Sequence, residues 1–174
     1  MRATGEHRLG DAGLGTTEGA PVGVVHLAAE YGWLARTGGL AEAVAGLSAS
    51  QAAAGIPSAV IIPLHRSVRS AAPGLERVGG PFQVQVGPRI EEARLFRIPS
   101  APGQTKVYCI EHPYFDRAGL YGESGMDYPD NLQRWAFFCR AALEVLPKVT
   151  RSPIIRVKKR IVAAPPRSIS AASK

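Results

Sequence analysis

Short apolar runs alternate along this chain with longer stretches in which apolar residues recur every three or four positions. Val22 to Ala28 (VGVVHLA) is rich in Val and Leu and is followed by turn residues, which predicts a buried strand. From Gly39 to Ala54 the spacing becomes helical, with Leu40, Val44, Leu47 and Ala54 on one stripe and Gly55 as the C-terminal stop. Ser58 to Ile62 (SAVII), set between Pro57 and Pro63, predicts a second buried strand. Together the three segments form a βαβ unit, the start of a doubly wound sheet.

Phe82 to Val86 alternates as Phe-Gln-Val-Gln-Val, and Glu92 to Ile98 alternates too; Gly87-Pro88 between them predicts a hairpin. Lys106 to Ile110 reads as a further strand, followed by a long loop from Glu111 to Pro129 crowded with His, Asp, Tyr and Gly. Loops of that length and polarity after a strand are usually functional. Asp130, with Gln133 three residues on, predicts a helix N-cap. The helix it opens carries Leu132, Trp135, Cys139, Ala142, Leu143 and Leu146 and is expected to end near Leu146, before Pro147. Trp135, Phe137 and Phe138 are expected in the core.

Composition adds limits. With 174 residues there is room for one domain with a sizeable core. Residues 1 to 20 are polar and glycine-rich, which predicts a disordered leader rather than a secretory signal, and no apolar run is long enough to span a membrane. A cytoplasmic location is expected. Cys109 and Cys139 lack metal-site spacing and read as reduced core thiols. The net charge of +7 is uneven: residues 1 to 147 hold 13 basic and 14 acidic side chains, while residues 148 to 174 hold eight basic ones and no acid. The basic character therefore belongs to a proline-containing tail, read as mostly disordered, and no nucleic-acid partner is expected of the body.

Arg36-Thr37-Gly38-Gly39-Leu40 lies at the strand-to-helix junction. Two glycines let a backbone approach a ligand, and the first free amides of the helix point there with the positive end of its dipole. A phosphate loop and an ordinary tight turn both fit these residues alone.

Four ordered stretches extend the reading: His26-Leu27-Ala28-Ala29-Glu30; Arg36-Thr37-Gly38-Gly39-Leu40-Ala41-Glu42; Tyr108 to Arg117 with Gly119-Leu120-Tyr121-Gly122; and Tyr128-Pro129-Asp130-Asn131 leading to Arg134 and Phe137-Phe138. From about Val22 to Pro147 the chain resembles the N-terminal domain of bacterial glycogen synthases and plant starch synthases. The resemblance implies an α/β fold, the Rossmann-like N-terminal lobe of a two-lobed glycosyltransferase. That lobe is incomplete here, with a hairpin insertion, and spans residues 21–147 between the leader (1–20) and the basic tail (148–174). It also implies transfer of glucose from ADP-glucose to the non-reducing end of an α-1,4-glucan with retention, with no metal or cofactor.

By the same resemblance, Arg36 stands where the family has the lysine of its Lys-x-Gly-Gly-Leu loop, so Arg36, Gly38 and Gly39 are expected at the donor phosphates. Glu30, Glu42, Tyr121 and Asn131 are expected at the sugar or acceptor; Glu42 stands where the family usually has Asp. Two structural alternatives stand beside these roles. Glu30 can cap the glycine loop or pair with Arg36, and Asp130 can cap its helix. His26 is expected as a satisfied core histidine, and His112 and Asp116 as structural hydrogen-bonding groups; Tyr31 and Trp33 flank the loop and are candidates for lining the cleft. After Leu146 the family continues with a His-x-His-Asp-Trp element and a second lobe that this sequence does not show. The chain alone is therefore expected to be an inactive fragment, with a non-catalytic glucan-binding module as the alternative and nucleic-acid binding by the tail ranked last.

Overall fold

A computed structural model describes residues 23–150. The expected leader (1–20) and all of the basic tail from residue 151 lie outside the described residues. Within them, β1 (Val24–Leu27), α1 (Gly39–Ala53) and β2 (Ser58–Pro63) form the expected βαβ unit, β1 pairing parallel with β2 from Val24↔Ser58 to Leu27↔Ile61. A short helix α2 (Arg66–Ala71) and a two-residue strand β3 (Glu76–Arg77) follow. The hairpin comes next: β4 (Phe82–Val86) and β5 (Arg89–Ile98) pair antiparallel across Gly87-Pro88, with Val86 opposite Arg89. β6 (Lys106–Glu111) pairs parallel with β2 and antiparallel with β5, so the sheet runs β1-β2-β6-β5-β3, with β4 on β5. A small hairpin, β7 (Gly122–Glu123) and β8 (Met126–Asp127), precedes α3 (Asn131–Thr150).

Alternation along each strand divides the core into two layers. Ala59 and Ile61 of β2, Tyr108 and Ile110 of β6, and Ala93 and Leu95 of β5 face α3, where Phe137, Phe138, Ala141 and Val145 meet them. Val60, Ile62, Val107 and Cys109 face the other way, toward Leu34, Val44 of α1 and Val68 of α2. β2 is buried along its whole length, as a strand covered on both faces must be.

Both long helices depart from their predicted stripes. In α1 the sheet side carries Ala41 and Ser48, both fully buried, with Val44 and Ala45 partly buried; Leu40 and Leu47 are about half exposed and Ala54 lies past the helix end. Small side chains let the helix lie close to the sheet, and the larger leucines stay outside. In α3 the buried face is Arg134, Phe137, Phe138, Ala141, Ala142, Val145 and Val149, while Leu132, Cys139 and Leu143 are exposed. The apolar residues form two stripes on this helix, and the aromatic pair decides which one meets the sheet. The helix also runs through Pro147 to Thr150, with Val149 in the core and Thr150 buried beside it in the last turn.

The thiols accordingly differ. Cys109 is buried and desolvation pushes its pKa up to about 12, whereas Cys139 is exposed rather than in the core. A thiol reagent is expected to modify Cys139 alone in the native protein and both cysteines after denaturation; modification of both without unfolding would contradict this burial.

Candidate functional site

The C-terminal ends of the parallel strands β1, β2 and β6 release the segments that form the site: Ala28–Gly38 after β1, His65 after β2, and the loop from His112 after β6. Open α/β sheets place ligands at this edge. Glu30, only 3 % exposed, sits at its centre. Its Oε2 accepts from the Thr37 amide (2.8 Å) and the Gly38 amide (3.3 Å), and its Oε1 accepts from the Thr37 hydroxyl (2.6 Å) and the Tyr121 hydroxyl (2.7 Å). Burial pushes the Glu30 pKa up, but bonds from Thr37, Tyr121 and Gly38 outweigh it and hold the carboxyl below its ordinary value. The structure thus realises the loop-capping alternative for Glu30. Arg36 pairs with Glu42 instead, Nη1 to Oε1 at 2.7 Å, both side chains largely exposed.

Gly38 and Gly39 open α1 with no side-chain cap, and Gly38 has extended backbone (φ −159°). Neither has positive φ, and a Cβ built on either meets nothing within 4 Å. Among the described residues nothing requires glycine there. Gly122 contrasts with them: a Cβ would fall 2.1 Å from the Met126 carbonyl oxygen, so glycine is dictated by close approach of the β7–β8 hairpin.

Tyr121 reaches Glu30 because its loop is pinned to α3. Arg134, completely buried, donates Nε to the Tyr114 carbonyl (2.9 Å), Nη1 to Asn131 Oδ1 (2.6 Å) and Nη2 to the Leu120 carbonyl (3.0 Å). Its guanidinium also lies over the rings of Tyr128, Trp135 and Phe115 at 4.9, 5.3 and 5.6 Å. Asn131 donates from its amide to the Tyr121 carbonyl (2.8 Å), so both ends of its side chain are spent on holding the loop. The Tyr121 ring packs on Trp135 at 5.5 Å, and burial, then the bond to Glu30, raises the phenol above its ordinary pKa. Asp130 does not act as the side-chain cap: its carboxylate is held by both Nη atoms of Arg117, which keeps its pKa low.

Two histidines are structural groups, although His26 is half-buried on β1 rather than in the expected core. His26 Nε2 lies 2.8 Å from Gln51 Oε1, and His112 is buried against Phe137, with Glu91 3.6 Å away. Asp116 is exposed and pairs with Arg66. Tyr31 and Trp33 line a groove of about 710 Å³ with Ala49, Ala72, Ile98 and Thr105; its lining includes none of Glu30, Arg36 and Tyr121. Among the described residues no cluster of His, Cys, Asp and Glu suits a metal, and no helix is long and apolar enough to cross a membrane.

The sequence motifs include Arg134 without giving it a role, and they leave out His65; both build the site. Arg134 falls on the same helical face as Phe137, Phe138, Ala141 and Val145, and that placement of a charge within an apolar period was the available signal. His65 follows β2 with no such pattern. It is 1 % exposed; Nε2 lies 3.0 Å from the Ala29 carbonyl, Nδ1 has no partner among the described residues, and the ring meets Phe115 edge-on. Burial, assisted by Arg134, lowers its pKa to about 4. The unfolded chain, with a His pKa near 6.5, then binds more protons than the native one between those values. Stability is full above pH of about 6.5 and falls on acidification toward pH 4, at up to about 1.4 kcal/mol per pH unit from this group. Urea midpoints compared across this window should lose that slope in His65→Phe; an unchanged slope would assign it elsewhere.

Comparison with known proteins matches residues 23–161 to the starch synthase catalytic domain family. The chain belongs to this family. Curated relatives within it include a glycogen synthase of Syntrophotalea carbinolica, 39 % identical over 129 residues, and one of an Anaeromyxobacter species, 38 % identical over 122 residues. The matches cover 74 % and 69 % of this chain but only 26 % and 24 % of those proteins, so the chain spans about a quarter of their length. Among solved structures, the catalytic domain of starch synthase IV from Arabidopsis thaliana bound to ADP and acarbose matches with a TM-score of 0.59 and 27 % identity, covering 74 % of this chain and 26 % of that one. The starch synthase family match therefore includes both the glycine loop and the Tyr121 loop, and it continues past Pro147, the end of the span over which the sequence motifs carry the resemblance.

Proposed function

We propose that these residues form the part of a retaining α-1,4-glucosyltransferase that meets the diphosphate of ADP-glucose and the α-glucan acceptor. The observation that carries this reading is the pair Gly38-Gly39: two glycines that neither backbone angle nor packing demands, at an uncapped helix N-terminus beside Arg36. Such a site accepts an anion that approaches the backbone closely. That the starch synthase IV structure holds ADP and acarbose supports the ligand class.

In this reading Arg36 and the amides of the loop meet the charge of the departing diphosphate, and Glu42 is the carboxylate that the Arg36 guanidinium exchanges for phosphate. Tyr121, an aromatic face with a hydroxyl, contacts sugar, and Asn131 and Arg134 hold it in place. No metal or other cofactor is invoked, and the cytoplasm, where ADP-glucose is available, is the proposed location. Titration of ADP into the isotopically labelled chain, followed by amide NMR, tests the reading. Shifts confined to residues 36–40 are expected; no response there at millimolar ADP overturns it, and a chain that binds a maltooligosaccharide but does not bind ADP points instead to a glucan-binding module.

A further inference from the structure

The amides at the start of α1 are not equally available. Glu30 already holds those of Thr37 and Gly38, and its two oxygens are filled by four donors when the Thr37 and Tyr121 hydroxyls are included. Gly39 and Leu40 follow in the first helical turn, where amides have no intrahelical acceptor, and Gly38 supplies no side-chain cap. Among the described residues no atom lies within 4 Å of a Cβ built on Gly39. A phosphate that approached Thr37 and Gly38 would meet a buried carboxylate held in its ionised form by short hydrogen bonds, and two anions do not share one amide pair without protonation.

We propose that Glu30 is a positioning residue that divides the loop's donors: it keeps Thr37 and Gly38 to fix the loop's shape, and leaves Gly39, Leu40 and Arg36 for the donor's diphosphate. This rests on the donor-site reading above and reassigns Glu30 from substrate contact to loop geometry. It also sets the role of Tyr121. The phenol proton is committed to Glu30, so toward a sugar its oxygen is an acceptor and takes a hydrogen bond from a sugar hydroxyl. The latch joins residues that no local pattern connects, and through Arg134 and Asn131 it ties the order of the Tyr121 loop to that of the phosphate loop.

The test uses the full chain, labelled for amide NMR, with ADP as the probe. ADP is expected to move the Gly39 and Leu40 amide resonances most and those of Thr37 and Gly38 least. Without ligand, Glu30→Gln is expected to shift the Thr37 and Gly38 amides and to ease phenolate formation at Tyr121 in part, since the burial that contributes most to its raised pKa remains; with ligand it should weaken ADP binding by at least about tenfold. Larger ADP shifts at Thr37 and Gly38 than at Gly39, or tighter ADP binding by Glu30→Gln, would overturn the proposal, because either result makes the carboxylate a competitor of phosphate for the same amides. Unshifted Thr37 and Gly38 amides in Glu30→Gln would overturn the latch itself. Should Glu30→Gln fail to fold, Tyr121→Phe leaves the carboxylate and both amides in place; it is expected to raise the Glu30 pKa and shift the same two amides. Failure of ADP to bind the wild-type chain defeats the donor-site reading, whereas the latch is judged separately from the measurements made without ADP.

Discussion

Arg134→Met is expected to destabilise the native protein by about 3–5 kcal/mol, the largest loss from any single side chain outside the apolar core. The argument is one of stranded acceptors. Removing the guanidinium leaves the Tyr114 and Leu120 carbonyls and Asn131 Oδ1 without their donor. Each such group costs about 1–3 kcal/mol when it stays buried. Relief of the desolvation that lowers the Arg134 pKa offsets part of the total. The cation–ring contacts with Tyr128, Trp135 and Phe115 are lost as well. Arg134→Lys keeps the charge but not the planar fork that reaches three acceptors in different directions, so it should recover less than half of the loss. Urea unfolding of both variants, with the exposed Arg140→Met as a control expected to change by less than about 0.5 kcal/mol, provides the measurement. A loss below about 1 kcal/mol for Arg134→Met would show that the loop is held by other contacts. The 111–130 loop should also become the preferred site of limited proteolysis, since its anchor is gone.

For Gly39→Ala, stability and ligand binding should move in opposite directions. Gly39 is the first residue of α1, its added Cβ meets no atom, and alanine is the better helix former, so stability is expected to rise by a few tenths to about 1 kcal/mol. The same methyl occupies the open space through which a phosphate oxygen reaches the helix amides. ADP affinity should fall by about two orders of magnitude, equivalent to about 2.7 kcal/mol. Thermal unfolding and calorimetric ADP titration on one preparation read both effects. A variant that is both more stable and unaltered in ADP binding would remove the glycine pair from the site, and one that is destabilised would show that the backbone, not a ligand, had required glycine. The sign of the stability change separates the two explanations, which is why this substitution is more informative than Gly122→Ala, where a clash with the Met126 carbonyl predicts simple destabilisation.

Much of the architecture was readable before any tertiary contact was considered. The βαβ start, the Gly87-Pro88 hairpin, the further strand at Lys106 and the long loop before the last helix follow from apolar period and turn chemistry, because strands such as Ser58–Pro63 are mostly apolar and turns carry Gly and Pro. The glycine loop and Tyr121 were singled out on motif order. Helix faces were misread for a physical reason: periodicity identifies a face only when one stripe is apolar, and α1 and α3 each carry two. Which stripe turns inward depended on how closely the helix approaches the sheet in α1, and on the aromatic residues flanking Arg134 in α3. Pro147 marked a plausible stop but lies inside the helix, where packing of Val149 and Thr150 retains the last turn.

The sequence by itself determined the order of the elements, the presence of a glycine-bearing junction between β1 and α1, and the chemical types gathered around it. Only the tertiary structure decided what those groups do to one another. Tyr121 and Glu30 are 91 positions apart, and their hydrogen bond exists because parallel strands deliver both loops to one edge of the sheet. The fate of each charge was settled the same way: Glu30 by four donors, Arg36 by Glu42, Asp130 by Arg117 and Arg134 by backbone carbonyls. Hydrophobic period is a local property, carried by neighbours along the chain, whereas the pairing of a buried polar group is set by whichever partner the fold brings within about 3 Å.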